Sequence, residues 1–439
     1  MNDKEKRVNT ATLSNGLRII HIPSQSDVVY CGYAINAGTR NENKGREGMA
    51  HFCEHLSFKG TTRRRAWDII NSLESVGGDL NAFTCKEDTV YYSAIHANHL
   101  PKAIDLLSDI VFDSVFPQAE IDKEVEVICD EIECYNDTPS ELIYDDFENM
   151  LFAGHPLGHN ILGEANMLRT FTTQDALAFT SQFYHPSNAV FFAYGNIDFK
   201  RMVRLIEKGV HTYYHSEKNT AHDFAQSTAH DFAQSTANDF TQSTANALSF
   251  DEYNASEGVH KIIKKDTHQC HVMIGNRAYS YNHPRRLTLY LLNNLLGGPG
   301  MSSRLNMALR EKRGLVYSVD SSMTSYGDTG LWTTYFGCDV HDVERCKRIV
   351  MHELDRLAST PLSPAKLMRA KQQIKGQIAI ACDNRESFAI DMAKSFLHLG
   401  IEKDVDALLQ RIDAISADDI MTVAQEIFNP DKLYILEYR

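Results

Sequence analysis

His51-Phe52-Cys53-Glu54-His55 is the stretch on which the reading of this 439-residue chain turns. Wound as a helix at ~100° per residue, it sets His51 and His55 about 40° apart and Glu54 about 60° to the other side, so all three share one face. Two imidazoles one turn apart can bind the same zinc ion, with Glu54 left close to the metal's water. The competing account is a helix that carries two histidines by chance. Cys53 lies about 200° round the helix from His51 and is expected to point away as a packing residue.

A catalytic zinc takes three protein ligands, so a third must be found. Glu120 to Glu133 holds seven acidic residues: Glu120, Asp122, Glu124, Glu126, Asp130, Glu131 and Glu133. With Glu124 at 0° on a helical wheel, Val125, Ile128 and Ile132 cluster between about 40° and 100°, and Glu131 returns to about 340°. Glu126, Asp130 and Glu133 fall near 180° to 240°, on the solvated side. Only Glu124 and Glu131 border the apolar face, and one of them can ligate the metal while the other supports it from behind.

Further out, Asn15-Gly16 followed by the alternating run Leu17 to Ile22 reads as a hairpin, and Val28 to Ala37, Thr89 to Ile95 and Ala189 to Tyr194 read as strands. Helical spacing runs through Ile104 to Val111, Phe171 to Phe183, Leu287 to Leu296, Val343 to Leu357, Pro364 to Cys382 and Ser416 to Phe428. Strand-like segments recur at Val272 to Gly275 and Leu331 to Phe336. Interleaved hairpins and helices predict an α+β fold. An eight-residue repeat beginning at Thr220 is too short for a solenoid unit and reads as a low-complexity linker. Three regions follow: 1–215, the linker 216–249, and 250–439. Arg63-Arg64-Arg65 is expected to be a solvated turn, and His155 and His159, separated by Pro156 and Gly158, to serve a loop and not a second metal.

The composition, 43% hydrophobic and 23% charged, is that of a folded globular protein, and the formal charge of -14 excludes the basic footprint of a nucleic-acid binder. Nine scattered cysteines without a Cys-x-x-Cys pair read as reduced thiols. Neither a signal-peptide core nor an uninterrupted apolar run of ~18 residues is present, so the expectation is a cytoplasmic protein without a membrane partner.

Inverted His-x-x-Glu-His is the inverzincin signature. With it stand Gly48-Met49-Ala50, Phe58-Lys59-Gly60-Thr61, Gly78-Asp79-Leu80-Asn81-Ala82-Phe83-Thr84, His155-Pro156-Leu157-Gly158 and Ile161-Leu162-Gly163. Gly297-Gly298-Pro299-Gly300-Met301-Ser302-Ser303 and Arg310 with Tyr317, seven residues on, follow in the second part. Together these resemble the pitrilysin family of zinc metallopeptidases, in particular its shorter, processing-peptidase-like branch. The family places a ligand glutamate about 75 residues past the motif and another glutamate seven before it; Glu131 and Glu124 match.

The resemblance implies two homologous halves, each an antiparallel sheet flanked by helices, with 1–215 as the zinc-binding half and 250–439 as the half carrying the arginine-tyrosine pair. It implies one zinc per chain on His51, His55 and Glu131, with Glu124 as the supporting acid and Glu54 as the base. Asn81, Ala82, Phe83 and Thr84 would form an edge strand on which a peptide substrate lies. Tyr317 would donate to the oxyanion and Arg310 orient the substrate backbone. The activity implied is endopeptidase cleavage of extended or unfolded peptides inside a closed chamber. A partner subunit would complete the chamber in a homodimer, or in a heterodimer with a homologous chain. The alternative is a proteolytically silent, zinc-binding assembly subunit of a heteromeric peptidase.

Overall fold

The computed structural model describes residues 8–214, 257–265, 267–400 and 404–439. The octapeptide repeat and the linker 216–249 lie outside the described residues. Two compact units are formed. The first holds the described residues of Met1–Ile132, His159–Ala247 and Cys382–Lys403, the second those of Glu133–Gly158, Leu248–Ala381 and Asp404–Arg439.

Six strands make the first sheet: β1 (Asn9–Thr12), β2 (Arg18–Pro23), β3 (Val28–Ile35), β4 (Asn81–Thr84), β5 (Thr89–His96) and β6 (Ala189–Gly195), in the order β1-β2-β6-β3-β5-β4. Gly16, with φ +87°, closes the β1/β2 hairpin in a conformation that favours glycine. The second sheet contains β7 (His260–Ile263), β8 (Cys270–Ala278), β9 (Val316–Ser325), β10 (Gly330–Cys338) and β11 (Tyr434–Tyr438), in the order β7-β11-β8-β10-β9. Adding five to each strand number turns β2-β6-β3-β5-β4 into the second order, so the two sheets are topological copies. Pairing is antiparallel, as expected, apart from one parallel pair in each sheet, β2/β6 and β7/β11. In each copy the last strand returns after a run of helices and inserts beside the first in the same direction, as such crossovers allow.

Alternation along the strands splits the first sheet between two apolar clusters. Val29, Tyr33, Tyr91 and Phe191 face the core that also contains Phe52 and Leu56 of the helix Met49–Leu56. Ile20, Ala34, Val190 and Phe192 face the other way, onto Ala389, Met392, Ala393 and Leu397 of the helix Arg385–Leu399. Strands buried on both faces read as near-continuous apolar runs, which is how they stood out in the sequence. The second sheet is covered in the same manner by Leu142, Ile143, Phe147 and Leu151 of the helix Pro139–Leu151, packed on Met273, Tyr335, Leu436 and Tyr438. Each sheet therefore takes one covering helix from the opposite stretch of sequence. No described helix is long and apolar enough to cross a membrane.

Candidate metal centre

Met49–Leu56 is a short helix whose N-cap, Gly48, sits at φ +96° and offers no side chain. Its exposed N–H groups are satisfied from upstream: Glu42 Oε2 accepts from Gly48 N at 2.8 Å and Oε1 from Ala50 N at 2.7 Å. His159 Nε2 lies 2.9 Å from Glu42 Oε2 and 3.1 Å from the carbonyl of Thr39. His159 thus serves the loop that fixes the start of this helix. His155, by contrast, belongs to the second unit, against Phe152 and 3.7 Å from Asp328. Met49, Ala50, Phe52, Cys53 and Leu56 are buried and hold the helix on the core. Cys53 packs there fully buried, and burial pushes its thiol far above the usual range.

The opposite wall is the helix Gln118–Asn136, which buries Ile121, Glu124, Val125, Ile128 and Cys129. Glu124 is 6% exposed, whereas Glu126 faces solvent and pairs with Arg169 at 3.0 Å. His51, His55 and Glu131 converge, one ligand atom from each lying within 4.8 Å of the others. Glu131 Oε2 is 3.6 Å from His55 Nε2 and 3.9 Å from His51 Nε2. His55 Nδ1 donates to Glu124 Oε1 at 3.0 Å, which leaves Nε2 as its acceptor nitrogen. Lys59 Nζ bonds the second oxygen of Glu124 at 2.6 Å. His51 Nδ1 is buried and pairs with no described residue.

Burial, helped by neighbouring His55, lowers the His51 imidazole to about 3, so its ring is neutral at ordinary pH. Burial also opposes charge on His55, but the Glu124 bond and the charges of Glu54, Glu131 and Glu124 outweigh it and raise the group. Glu124 is lowered against its burial by His55 and Lys59. Glu54, 8% exposed, moves the other way, because burial outweighs the Thr84 bond and the His55 charge while Glu131 adds to the rise. Two imidazoles and a carboxylate, one imidazole with its second nitrogen tied down by Glu124, are a donor set that zinc accepts, displacing the proton that the surrounding carboxylates favour on His55, with a fourth position left open.

Asn81–Thr84 forms β4, which pairs with β5 from Asn81↔Tyr92 to Thr84↔Thr89 and on its other side with no described strand. Arg310 and Tyr317 belong to the second unit. Arg310 lies in the π-helical segment Asn306–Glu311 and Tyr317 in β9, with the guanidinium carbon 5.8 Å from the phenol centroid. Tyr317 is 80% exposed. Gly298, Gly300, Asn306, Arg310, Tyr317 and Asp320 line one cavity of about 480 Å³. Within the arginine triplet Arg63 and Arg65 are exposed, as expected of a solvated turn, but Arg64 departs from it: it reaches Asp105 and the buried Asp109, and its ring of partners extends to Tyr213. A guanidinium that finds two carboxylates on one helix face gains more there than in water.

Three residues have roles at the site that the sequence motifs do not give them. Lys59 is four residues past His55 and so falls about 40° from it on a continuing helix, a signal that was present. Glu42 lies in a loop, for which no periodicity exists, and the bond from Thr84 to Glu54 joins a strand end to a helix 30 residues away, which no local pattern reveals.

Residues 18–165 match the family described as Insulinase (Peptidase family M16), and residues 170–374 match Peptidase M16 inactive domain. An uncharacterized zinc protease of Streptomyces coelicolor is 32% identical over 96% of this chain and 87% of its own length. The uncharacterized zinc protease YmxG of Bacillus subtilis is 30% identical over 96% of this chain and 95% of its own. A crystal structure of a protease from Helicobacter pylori shares the fold with a TM-score of 0.85 at 21% identity, covering 99% of this chain and all of that one.

Proposed function

Because the chain belongs to the insulinase family of peptidases, family M16, we propose that it is a zinc-dependent endopeptidase acting on extended or unfolded peptides. The observation that carries this reading is the convergence of His51, His55 and Glu131, with the buried Glu54 between the two histidines on the same helix. One zinc per chain would be held by these three. Bound there, zinc supplies Lewis acidity, polarising the scissile carbonyl and easing ionisation of the attacking water.

The remaining work falls to the protein. Glu124 accepts from His55 Nδ1 and so keeps Nε2 turned to the metal side. Glu54 takes a proton and returns it to the leaving amine; a carboxyl raised by burial suits both halves of that exchange. The unpaired edge of β4, Asn81 to Thr84, offers backbone groups to a peptide that adds as a further strand. Such recognition selects chains free to extend. Tyr317 is assigned as the oxyanion donor and Arg310 as the residue that orients the substrate backbone. A homodimer would supply the second wall of a closed chamber, with a homologous partner as the heterodimeric form. Nine scattered cysteines without a Cys-x-x-Cys pair support a reducing, cytoplasmic setting.

A second reading, the silent zinc-binding assembly subunit, is favoured by one observation: 170–374, which includes Arg310 and Tyr317, resembles a domain described as inactive. Glu54→Gln separates the two. Under the peptidase reading the variant retains about one zinc per chain while cleavage of an unstructured peptide falls ~10²-fold or more. A wild-type chain that binds zinc and cleaves nothing establishes the second reading; a variant stripped of zinc removes Glu54 as the base.

A further inference from the structure

Glu54 is almost wholly buried, and its side-chain donor is Thr84, whose Oγ1 lies 2.7 Å from Oε2. Thr84 ends β4, and its partner across the ladder, Thr89, is itself anchored by a bond to the carbonyl of Ala37. Strand alternation puts Thr84 on the same side as Ala82, which packs on the core that holds the Met49–Leu56 helix. Phe83 turns the opposite way, towards the cluster of the Arg385–Leu399 helix, with Lys394 Nζ 5.8 Å from its ring centroid. The strand is thus gripped from both faces, and a β-branched side chain on it has little rotamer freedom to lose. Beneath Glu54, Ser57, Tyr91 and Tyr184 form their own hydrogen-bonded chain at 3.2 and 3.1 Å.

We propose that the Thr84 hydroxyl is a positioning group that fixes Oε2 of Glu54 and leaves Oε1 as the oxygen that exchanges the proton, so that the strand offered to the peptide also aims the base. The proposal rests on Glu54 acting as that base. Its physical content is that a carboxylate free to rotate about its last torsion spends most of its time misdirected, and misplacement on the scale of 1 Å costs up to about 10²-fold in rate. Serine at position 84 keeps the donor; valine keeps the shape and removes it.

Full-length chain loaded with zinc is therefore compared as wild type, Thr84→Ser and Thr84→Val on one unstructured peptide. Thr84→Val is expected to lose about 10- to 100-fold in kcat with KM within twofold and zinc content unchanged, and Thr84→Ser to recover most of the loss. A second readout does not use activity: thermal unfolding of Thr84→Val, Glu54→Ala and the double variant. Thr84→Val should lower the Tm in the wild-type background and be nearly silent in Glu54→Ala, because the bond it breaks is then already gone. Equal Tm shifts in both backgrounds, loss of zinc, or an unchanged kcat in Thr84→Val overturns the proposal. If the wild type cleaves nothing, the peptidase reading fails by itself, and Thr84 loses its positioning role whatever the unfolding cycle shows about the bond.

Discussion

Asp88→Asn is expected to loosen the helix Arg385–Leu399 from the first sheet by about 2 to 3 kcal/mol. Asp88 is 1% exposed, forms an ion pair with Lys394 Nζ at 2.9 Å and accepts from His398 Nε2 at 3.0 Å. Breaking a buried charge pair by removing one member costs about 3 to 5 kcal/mol. Asparagine keeps one acceptor oxygen, which restores a neutral hydrogen bond of about 1 kcal/mol, and Lys394, 27% exposed, is partly rehydrated. For a unit of this size each kcal/mol moves the Tm by about 2 to 4 °C, so the fall should be roughly 5 to 10 °C at neutral pH.

The pH dependence carries a sign. Burial alone would raise the Asp88 carboxyl, but the His398 bond and the Lys394 charge prevail and hold it below the usual range. A lowered acid contributes stability that is complete above the unfolded value, about 3.9, and drains away as pH falls through the lower folded value. The gap between wild type and Asp88→Asn should accordingly be full at pH 7 and shrink well below pH 4. Scanning calorimetry at both pH values measures it, and hydrogen exchange of the Arg385–Leu399 amides locates it. Equal Tm values at pH 7, or a gap that widens on acidification, would refute the reasoning.

Zinc titration should rank the acidic residues of the second wall: Glu131→Gln weakens binding most, Glu124→Gln by about 10- to 100-fold, and solvent-facing Glu126→Gln not at all. Tyr317→Phe should lower kcat about a hundredfold with KM and zinc content unchanged, the mark of a donor used in the transition state; steady-state kinetics decide it. Gly48→Ala should lower the Tm by a few degrees and weaken zinc binding, because a Cβ there meets Gly163 Cα at 2.9 Å and the residue must hold φ +96°; a silent substitution would show that the helix start is pliable.

What the sequence could tell is separable from what it could not. The helical face of Glu120 to Glu133 was legible, since burial follows the angle at which a residue leaves the axis: Glu124 is buried and Glu126 exposed. Strands such as Ala189–Gly195 declared themselves by continuous apolar runs, buried on both faces. The helix Pro139–Leu151 was not among the periodic runs read from the sequence, and no local pattern says which sheet its apolar face covers, because both sheets offer equivalent surfaces. Nor could the pattern distinguish Arg64 from its two neighbours, because its carboxylate partners stand 41 and 45 residues away. The turn from Glu42 to the Gly48 amide is of the same kind: a carboxylate that looks like loop in the sequence caps a helix in space.

The exchange of covering helices between the two stretches of sequence has a consequence for how the protein is made. A ribosome delivers β2, β3, β5 and β6 long before Arg385–Leu399, and Arg18 bonds the carbonyls of Phe396 and Leu397 across 378 and 379 residues. Until then Ile20, Ala34, Val190 and Phe192 have no cover on that face. Phe147 and Leu151 wait equally for Leu436 and Tyr438, at the far end of the chain. Neither half can be finished as it emerges, so closure waits on contacts hundreds of residues apart and is expected to be slow, with apolar faces open to aggregation in the meantime. Severing the chain between 214 and 257 would give two pieces that each carry the helix the other needs, and such pieces should become soluble together and aggregate apart.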